Sequence, residues 1–234
     1  MTNHVKTITE SRTAWDALYD AHVLFAKELY TVRSSLDIVR VVGLNTHRLS
    51  GPGAEFVRFA SLLSQRTIIT GIESLFERKN DGAGLCSVRG LLTLTQNMDL
   101  RYFEAARRFA NKYDVAATAD CRADIEKVLE KQRSLVAACT TLTSKVRNQR
   151  VAHLAQLNGH EPPHMLPGVD ACERVSEFAY DFSTFILTGF LNGAAGADMP
   201  DRVGKSLYGL LKKSFDINDA RCDFPEPISP EPAS

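Results

Sequence analysis

One stretch of this chain constrains its fold more than any other. From about Asp120 to Gln156, a line of residues recurs in alternating steps of three and four: Ile125, Val128, Gln132, Leu135, Cys139, Leu142, Val146, Gln149, His153 and, just beyond, Leu157. That spacing holds one row of side chains on a single face of an α-helix; a β-strand, whose side chains alternate every second residue, cannot produce it. Asn158-Gly159 supplies a natural stop. A helix of this length has to bury its stripe against other elements, and the rest of the chain must provide them.

The remaining sequence reads as more helix. Ser11 is placed to cap a segment whose Trp15, Leu18, Tyr19, Val23 and Leu29 fall near one face. SSLDIVRVVGL either continues that helix or forms a short one of its own, and the Gly51-Pro52-Gly53 turn ends the unit. AEFVRFASLLSQRTIITGIESLFERK is expected to bury Phe56, Phe59, Leu62, Leu63, Ile69, Ile72 and Phe76, with the NDGAG loop closing it. Ser87–Leu94 fits a short helix, and Asp99–Tyr113 a further one with Tyr102, Phe103, Ala106 and Phe109 towards the core. After the proline-rich EPPHMLPG loop comes a helix over Val169–Leu191 with Val175, Phe178, Phe182, Phe185 and Ile186, then a short amphipathic one from Pro200-Asp201 to Lys213. Period-two alternation never persists, so the expectation is an all-α bundle of six to eight helices. It forms one domain over residues 10–215, followed by a disordered proline-rich tail over 216–234.

Charge and cysteine usage narrow the functional classes. The chain carries 28 basic and 28 acidic side chains, net zero, whereas proteins that hold nucleic acid by their overall field carry a basic excess. The first twenty residues lack the apolar core of a secretion signal, and no apolar stretch is long enough to span a bilayer, which implies a cytoplasmic protein without membrane contact. Cys86, Cys121, Cys139, Cys172 and Cys222 are odd in number and widely spaced, fitting reduced thiols rather than a disulfide framework or a zinc pair. His160 and His164 share the GHEPPH loop without cysteines or paired acids to complete a ligand set, so no metal and no cofactor is expected. Glycine-rich phosphate loops and G-x-S-x-G elbows are absent from the sequence.

The chemistry-bearing cluster stands late in the long helix, in SKVRNQRVAHLAQ. Lys145, Arg147 and Arg150 have no acidic neighbour from Leu135 to Asn158. His153 follows Arg150 by one turn and about 60° of rotation, while Arg147 lies roughly 9 Å back along the axis, within reach of a long guanidinium. Asn148 adds an amide. An imidazole exchanges protons near neutral pH, and guanidinium groups hold phosphate oxygens and stabilise charge developing on them. RNA carries its own 2′-hydroxyl nucleophile, so these groups suffice for phosphodiester cleavage without a metal; DNA lacks that hydroxyl. A histidine on an apolar seam also fits a half-buried helix-interface residue, and basic residues late in a helix also fit compensation of the helix dipole.

RNQRVAH resembles the signature of the HEPN superfamily: an arginine, a following polar residue, and a histidine a few positions on. Arg147, Asn148, Ala152 and His153 carry the match, which is closest to the abortive-infection branch, and the helix order is similar from about Trp15 to Lys213. The resemblance implies a HEPN-type helical bundle and metal-independent endoribonuclease activity that leaves 2′,3′-cyclic phosphate and 5′-hydroxyl ends. It implies a homodimer whose two motif helices face each other across one composite cleft, a setting in phage defence or a toxin–antitoxin-like system, and an antitoxin or regulatory partner. By the same resemblance His153 is the general acid or base, Arg147 stabilises the transition state, Asn148 positions the histidine or phosphate, Arg150 holds the RNA backbone or pairs with a partner carboxylate, and Lys145 is peripheral. The competing reading is a catalytically inactive helical dimerisation or RNA-binding scaffold or regulatory module. A DNA-binding regulator is disfavoured by the lack of a compact basic helix-turn-helix.

Other residues receive plainer readings. Arg107 and Arg108 share a helix with Glu104 and Asp99 and fit a solvated face. Arg66 and Glu73 fit a satisfied internal pair or residues lining the cleft, the pair being preferred; Tyr102, Phe103, Tyr180 and Phe182 fit core aromatics, and His22 and His47 show no convincing partner.

Overall fold

Thr13, rather than Ser11, starts the first helix, because the acid its cap needs stands three residues on. The Thr13 hydroxyl accepts from the Asp16 amide at 3.2 Å while the Asp16 carboxylate accepts from the Thr13 amide at 3.1 Å, a reciprocal capping box. These geometries come from a computed structural model, which describes residues 13–51, 53–76, 86–96, 98–146 and 168–193. It also describes Ser206, Leu207, Gly209, Leu210, Leu211 and Lys213, and gives the backbone alone for Lys145 and Val146.

Helix α1 (Ala14–Asn45) runs unbroken through SSLDIVRVVGL, so the two candidate helices are one. A 3-10 turn over Thr46–Arg48 and the positive φ of Gly51 (78°) and Gly53 (91°) reverse the chain, and α2 (Ala54–Leu75) returns along α1. Helix α3 (Val88–Leu94) is capped by Ser87, whose hydroxyl accepts from the Gly90 amide. Helix α4 (Phe103–Lys112) begins four residues later than the sequence pattern suggests: Asp99 lies outside it, the Arg101 and Tyr102 amides donate to the Gly189 carbonyl, and both Tyr102 and Phe103 are exposed. Helix α5 (Cys121–Val146) is the described part of the long segment that leads to the motif, started by the Asp120 carboxylate accepting from the Ala123 amide. Helix α6 (Val169–Gly189) follows, and the described residues between 206 and 213 are helical. There is no strand among the described residues, and no described helix is long and apolar enough to cross a membrane. The architecture is an all-α, multi-helix bundle.

The core gathers around α6. Phe182 and Phe185 are fully enclosed, and Phe109 of α4 stacks on Phe185 at 5.3 Å between ring centres while meeting Phe178 at 6.3 Å. Leu18, Phe25 and Leu29 of α1, Ile68, Ile72 and Leu75 of α2, and Ile125 and Val128 of α5 complete the same cluster. A smaller cluster of Val41, Val42, Leu49, Ala54, Val57 and Leu211 closes the turn end of the α1–α2 hairpin.

Besides Tyr102 and Phe103, which the sequence pattern places towards the core and which are exposed, two more sequence expectations about burial are corrected. On α2, Ile69 and Ile72 are buried and Phe76 is half-buried, but Phe56, Phe59, Leu62 and Leu63 are exposed. The inward side carries Ala54, Ser61, Ser64 and Gly71, and a Cβ on Gly71 would sit 2.2 Å from Val32 Cγ2. Small residues let the two backbones approach, and that contact turns the large side chains outward. On α5 the buried line runs Ile125, Val128, Cys139 and then Thr143, which is fully enclosed, while Leu142 is 37 % exposed. A straight helix of 3.6 residues per turn drifts about 20° per heptad away from a 3.5-residue seam, so the seam leaves the core after Cys139.

Candidate functional site

The candidate motif begins at Arg147, one residue past the described end of helix α5. Its last described turns pack on α6, where Cys139 and Cys172 bring their sulfurs to 3.9 Å in the core, both as free thiols. Their mutual contact and burial hold the Cys172 thiol far above its usual range, so it stays protonated at neutral pH. One residue on, Glu173 pairs with Arg40 of α1 at 3.5 Å. Because α1 and α2 are antiparallel with Gly71 against Val32, an equal step along each sets Arg40 level with Leu63.

Lys145 occupies the last described turn of α5 as backbone only, and Arg147, Asn148, Arg150 and His153 lie outside the described residues. The structure thus describes α5 up to Val146, the residue before the motif. The expected helix over residues 147–156, the GHEPPH loop with His160 and His164, Cys222 and the tail also fall outside them. Within the described part of α5 the seam residues Ile125, Val128 and Cys139 are spent on this chain's own core.

A cleft of about 580 Å³ opens between α4 and α6 and is lined by Tyr102, Arg108, Lys112, Asp181, Phe185 and Asn192 among others. Its cations are already answered. Lys112 reaches Asp181 at 2.8 Å and Glu177 at 3.3 Å, and the Tyr113 hydroxyl donates to Asp181 at 2.6 Å. Burial alone would lower the Lys112 pKa, but the two carboxylates outweigh it and hold the ammonium above its ordinary value. Burial and the Asp181 carboxylate likewise push the Tyr113 phenol far up. The group is a strut joining α4 to α6, with no uncommitted base or nucleophile for a substrate.

The remaining sequence readings divide. Arg107 and Arg108 sit in solvent beside Glu104, at 3.9 and 3.4 Å, as a solvated face requires. Phe182 and the half-buried Tyr180 belong to the core, with Arg33 stacked over the Tyr180 ring at 4.9 Å. Arg66 is exposed on α2 and forms no ion pair with Glu73. His22 does have a partner: it is buried, with Nε2 at 3.1 Å from the Ser183 carbonyl and 2.9 Å from its hydroxyl. A carbonyl only accepts, so Nε2 holds the proton, and burial lowers the ring's pKa. His47 accepts from the Arg48 guanidinium at 3.1 Å. The sequence signals nothing of the His22–Ser183 or Lys112–Asp181 links, because 161 and 69 residues separate the partners.

No protein-family model matches the chain, no curated protein matches its sequence, and no solved structure matches its fold.

Proposed function

We propose that this protein is a HEPN-type, metal-independent endoribonuclease working in the cytoplasm as part of phage defence or a toxin–antitoxin-like system. The observation that carries the reading is Arg147-Asn148…His153 continuing directly from α5, in a span without a carboxylate from Leu135 to Asn158. The all-helical architecture and a helix running without interruption up to the motif support it. In this mechanism His153 takes the proton from the 2′-hydroxyl or delivers one to the leaving 5′-oxygen. The 2′-oxygen attacks the adjacent phosphorus, the bond to the 5′-oxygen breaks, and 2′,3′-cyclic phosphate and 5′-hydroxyl ends result. Arg147 stabilises charge on the phosphoryl oxygens in the transition state, Asn148 orients the histidine or the phosphate, and Arg150 holds the RNA backbone, with Lys145 at its periphery. Two copies would pool their motifs in one cleft, and an antitoxin or regulatory partner would restrain them.

The test is cleavage of end-labelled RNA in EDTA by the wild type and by His153→Ala, with both proteins checked for equal helicity. The expected result is loss of most cleavage in the variant, and cyclic phosphate ends in the wild-type product. Equal cleavage by the two proteins would remove His153 from the mechanism. RNA binding without cleavage by either would favour the inactive scaffold.

A further inference from the structure

The first half of α2 presents large apolar side chains to solvent. Phe56 is 74 % exposed, Phe59 56 %, Leu62 57 % and Leu63 45 %. With aromatic side chains on the order of 200 Å² each, the four expose roughly 400 Å², comparable to the largest patch on a typical monomer. That is also about half of what each partner gives to a standard interface of roughly 800 Å² per side. Ordinary amphipathic helices put charge on their outer face; this one puts phenylalanine there.

The order of residues on that face points to one occupant. Glu55, Phe59, Leu62 and Arg66 follow one another in steps of four, three and four, the seam spacing of helix pairing, with Phe56 and Leu63 beside it. The steps read the same in both directions, so a second α2 turned end for end meets the seam in register. Phe59 then lies against Leu62 of the second copy, and Leu62 against its Phe59. Glu55 at one end comes opposite Arg66 of the second copy, and the pair repeats at the other end by symmetry. Among the described residues Glu55 pairs with the exposed Arg58, at 2.6 Å, and Arg66 is exposed and makes no ion pair. Opposite charges at the two ends of an apolar strip are complementary to their own reversed copy, which is the requirement of a closed two-fold interface.

We propose that the Glu55–Arg66 face of α2 is an interface between two copies of this chain, paired antiparallel about a two-fold axis between Phe59 and Leu62. The contact stands without the ribonuclease reading.

Sedimentation equilibrium of the purified full chain tests this without RNA. The wild type is expected at twice 25.9 kDa in the tens of micromolar range. Phe59→Glu and, separately, Leu62→Glu are each expected at the single-chain mass with unchanged helicity, since both side chains are already in solvent. Glu55→Arg alone and Arg66→Glu alone should each weaken the dimer at least tenfold, and the two together should restore it towards wild type. A wild-type chain that stays at single mass up to about 100 µM overturns the proposal. So does a dimer whose mass neither Phe59→Glu nor Leu62→Glu changes, or charge variants whose double swap fails to recover what the singles lose.

Discussion

Helices α2 and α6 are close counterparts in sequence, 22 and 21 residues long and rich in phenylalanine and aliphatic side chains, yet they use those side chains in opposite ways. Helix α6 buries Phe178, Phe182 and Phe185, while α2 leaves Phe56 and Phe59 in water. Apolar content does not separate the two; the residues on their other sides do. Helix α2 has a row of small side chains that α1 can approach closely, and that contact decides which way it faces. Helix α6 touches α1, α2, α3, α4 and α5, so nearly every direction it points is inward.

The sharpest way to break the comparison is to empty α6. Phe182 is fully enclosed and meets both Phe109 and Phe185 at 6.1 Å between ring centres. Phe182→Ala should cost about 3–5 kcal/mol in urea unfolding, the range for large aromatic truncations in a core. A loss under about 1 kcal/mol would mean that α6 is not the centre of the bundle.

The next effect tests what turns α2. Gly71→Ala adds a methyl where Val32 Cγ2 stands 2.2 Å away. Overpacking of this kind costs typically about 1–3 kcal/mol, against a helix-propensity gain of about 1 kcal/mol, so a net loss of up to about 2 kcal/mol is expected. Gly43→Ala is the matched control, because its Cβ would meet nothing within 4 Å. That variant should gain up to about 1 kcal/mol. If both glycine variants stabilise the chain, close α1–α2 approach is not what sends Phe56 and Phe59 outward.

Much of the fold is legible in the sequence because helix periodicity is local. The existence of each helix, the Gly51–Gly53 reversal and the Phe178–Phe182–Phe185 stripe of α6 all rest on spacings within a few turns. What escapes depends on distant partners. Two apolar-compatible faces exist on α2, and only the position of α1 selects between them. The start of α4 depends on the Gly189 carbonyl, almost ninety residues later. The seam of α5 fails at Leu142 through slow geometric drift that a short window does not register. For the candidate site the residue types and their chemistry are legible, but the mutual geometry of Arg147, Asn148 and His153 lies outside the described residues. Function there rests on the motif.

Acid probes the join between α1 and α6. Burial lowers the His22 pKa below its ordinary value near 6.5, so the unfolded chain takes up the proton first as pH falls. Stability should therefore be constant above about pH 6.5 and decline below it, until the folded-state ring also protonates. The slope for a single group is at most about 1.4 kcal/mol per pH unit. Urea midpoints between pH 7.5 and 5, compared between wild type and His22→Gln, isolate this contribution. An equal decline in both proteins would assign the acid sensitivity to other groups.

The smallest effect is the most discriminating. Phe59→Ala removes the same atoms as Phe182→Ala, from a helix of nearly the same length, on the face that water already reaches. In dilute solution, where chains are single, the loss of packing should be close to nothing. Alanine's better helix propensity, worth a few tenths of a kcal/mol up to about 0.5, should leave the variant level with wild type or slightly more stable. At high concentration the order should reverse, because a self-associating wild type gains stability by mass action and the variant does not. Unfolding curves at about 0.5 µM and 50 µM read both regimes from the same two proteins. A loss of about 3 kcal/mol at the lower concentration would show Phe59 to be core after all, and the contrast between α2 and α6 would collapse. No concentration dependence in the wild type would leave the contrast intact and remove the second copy.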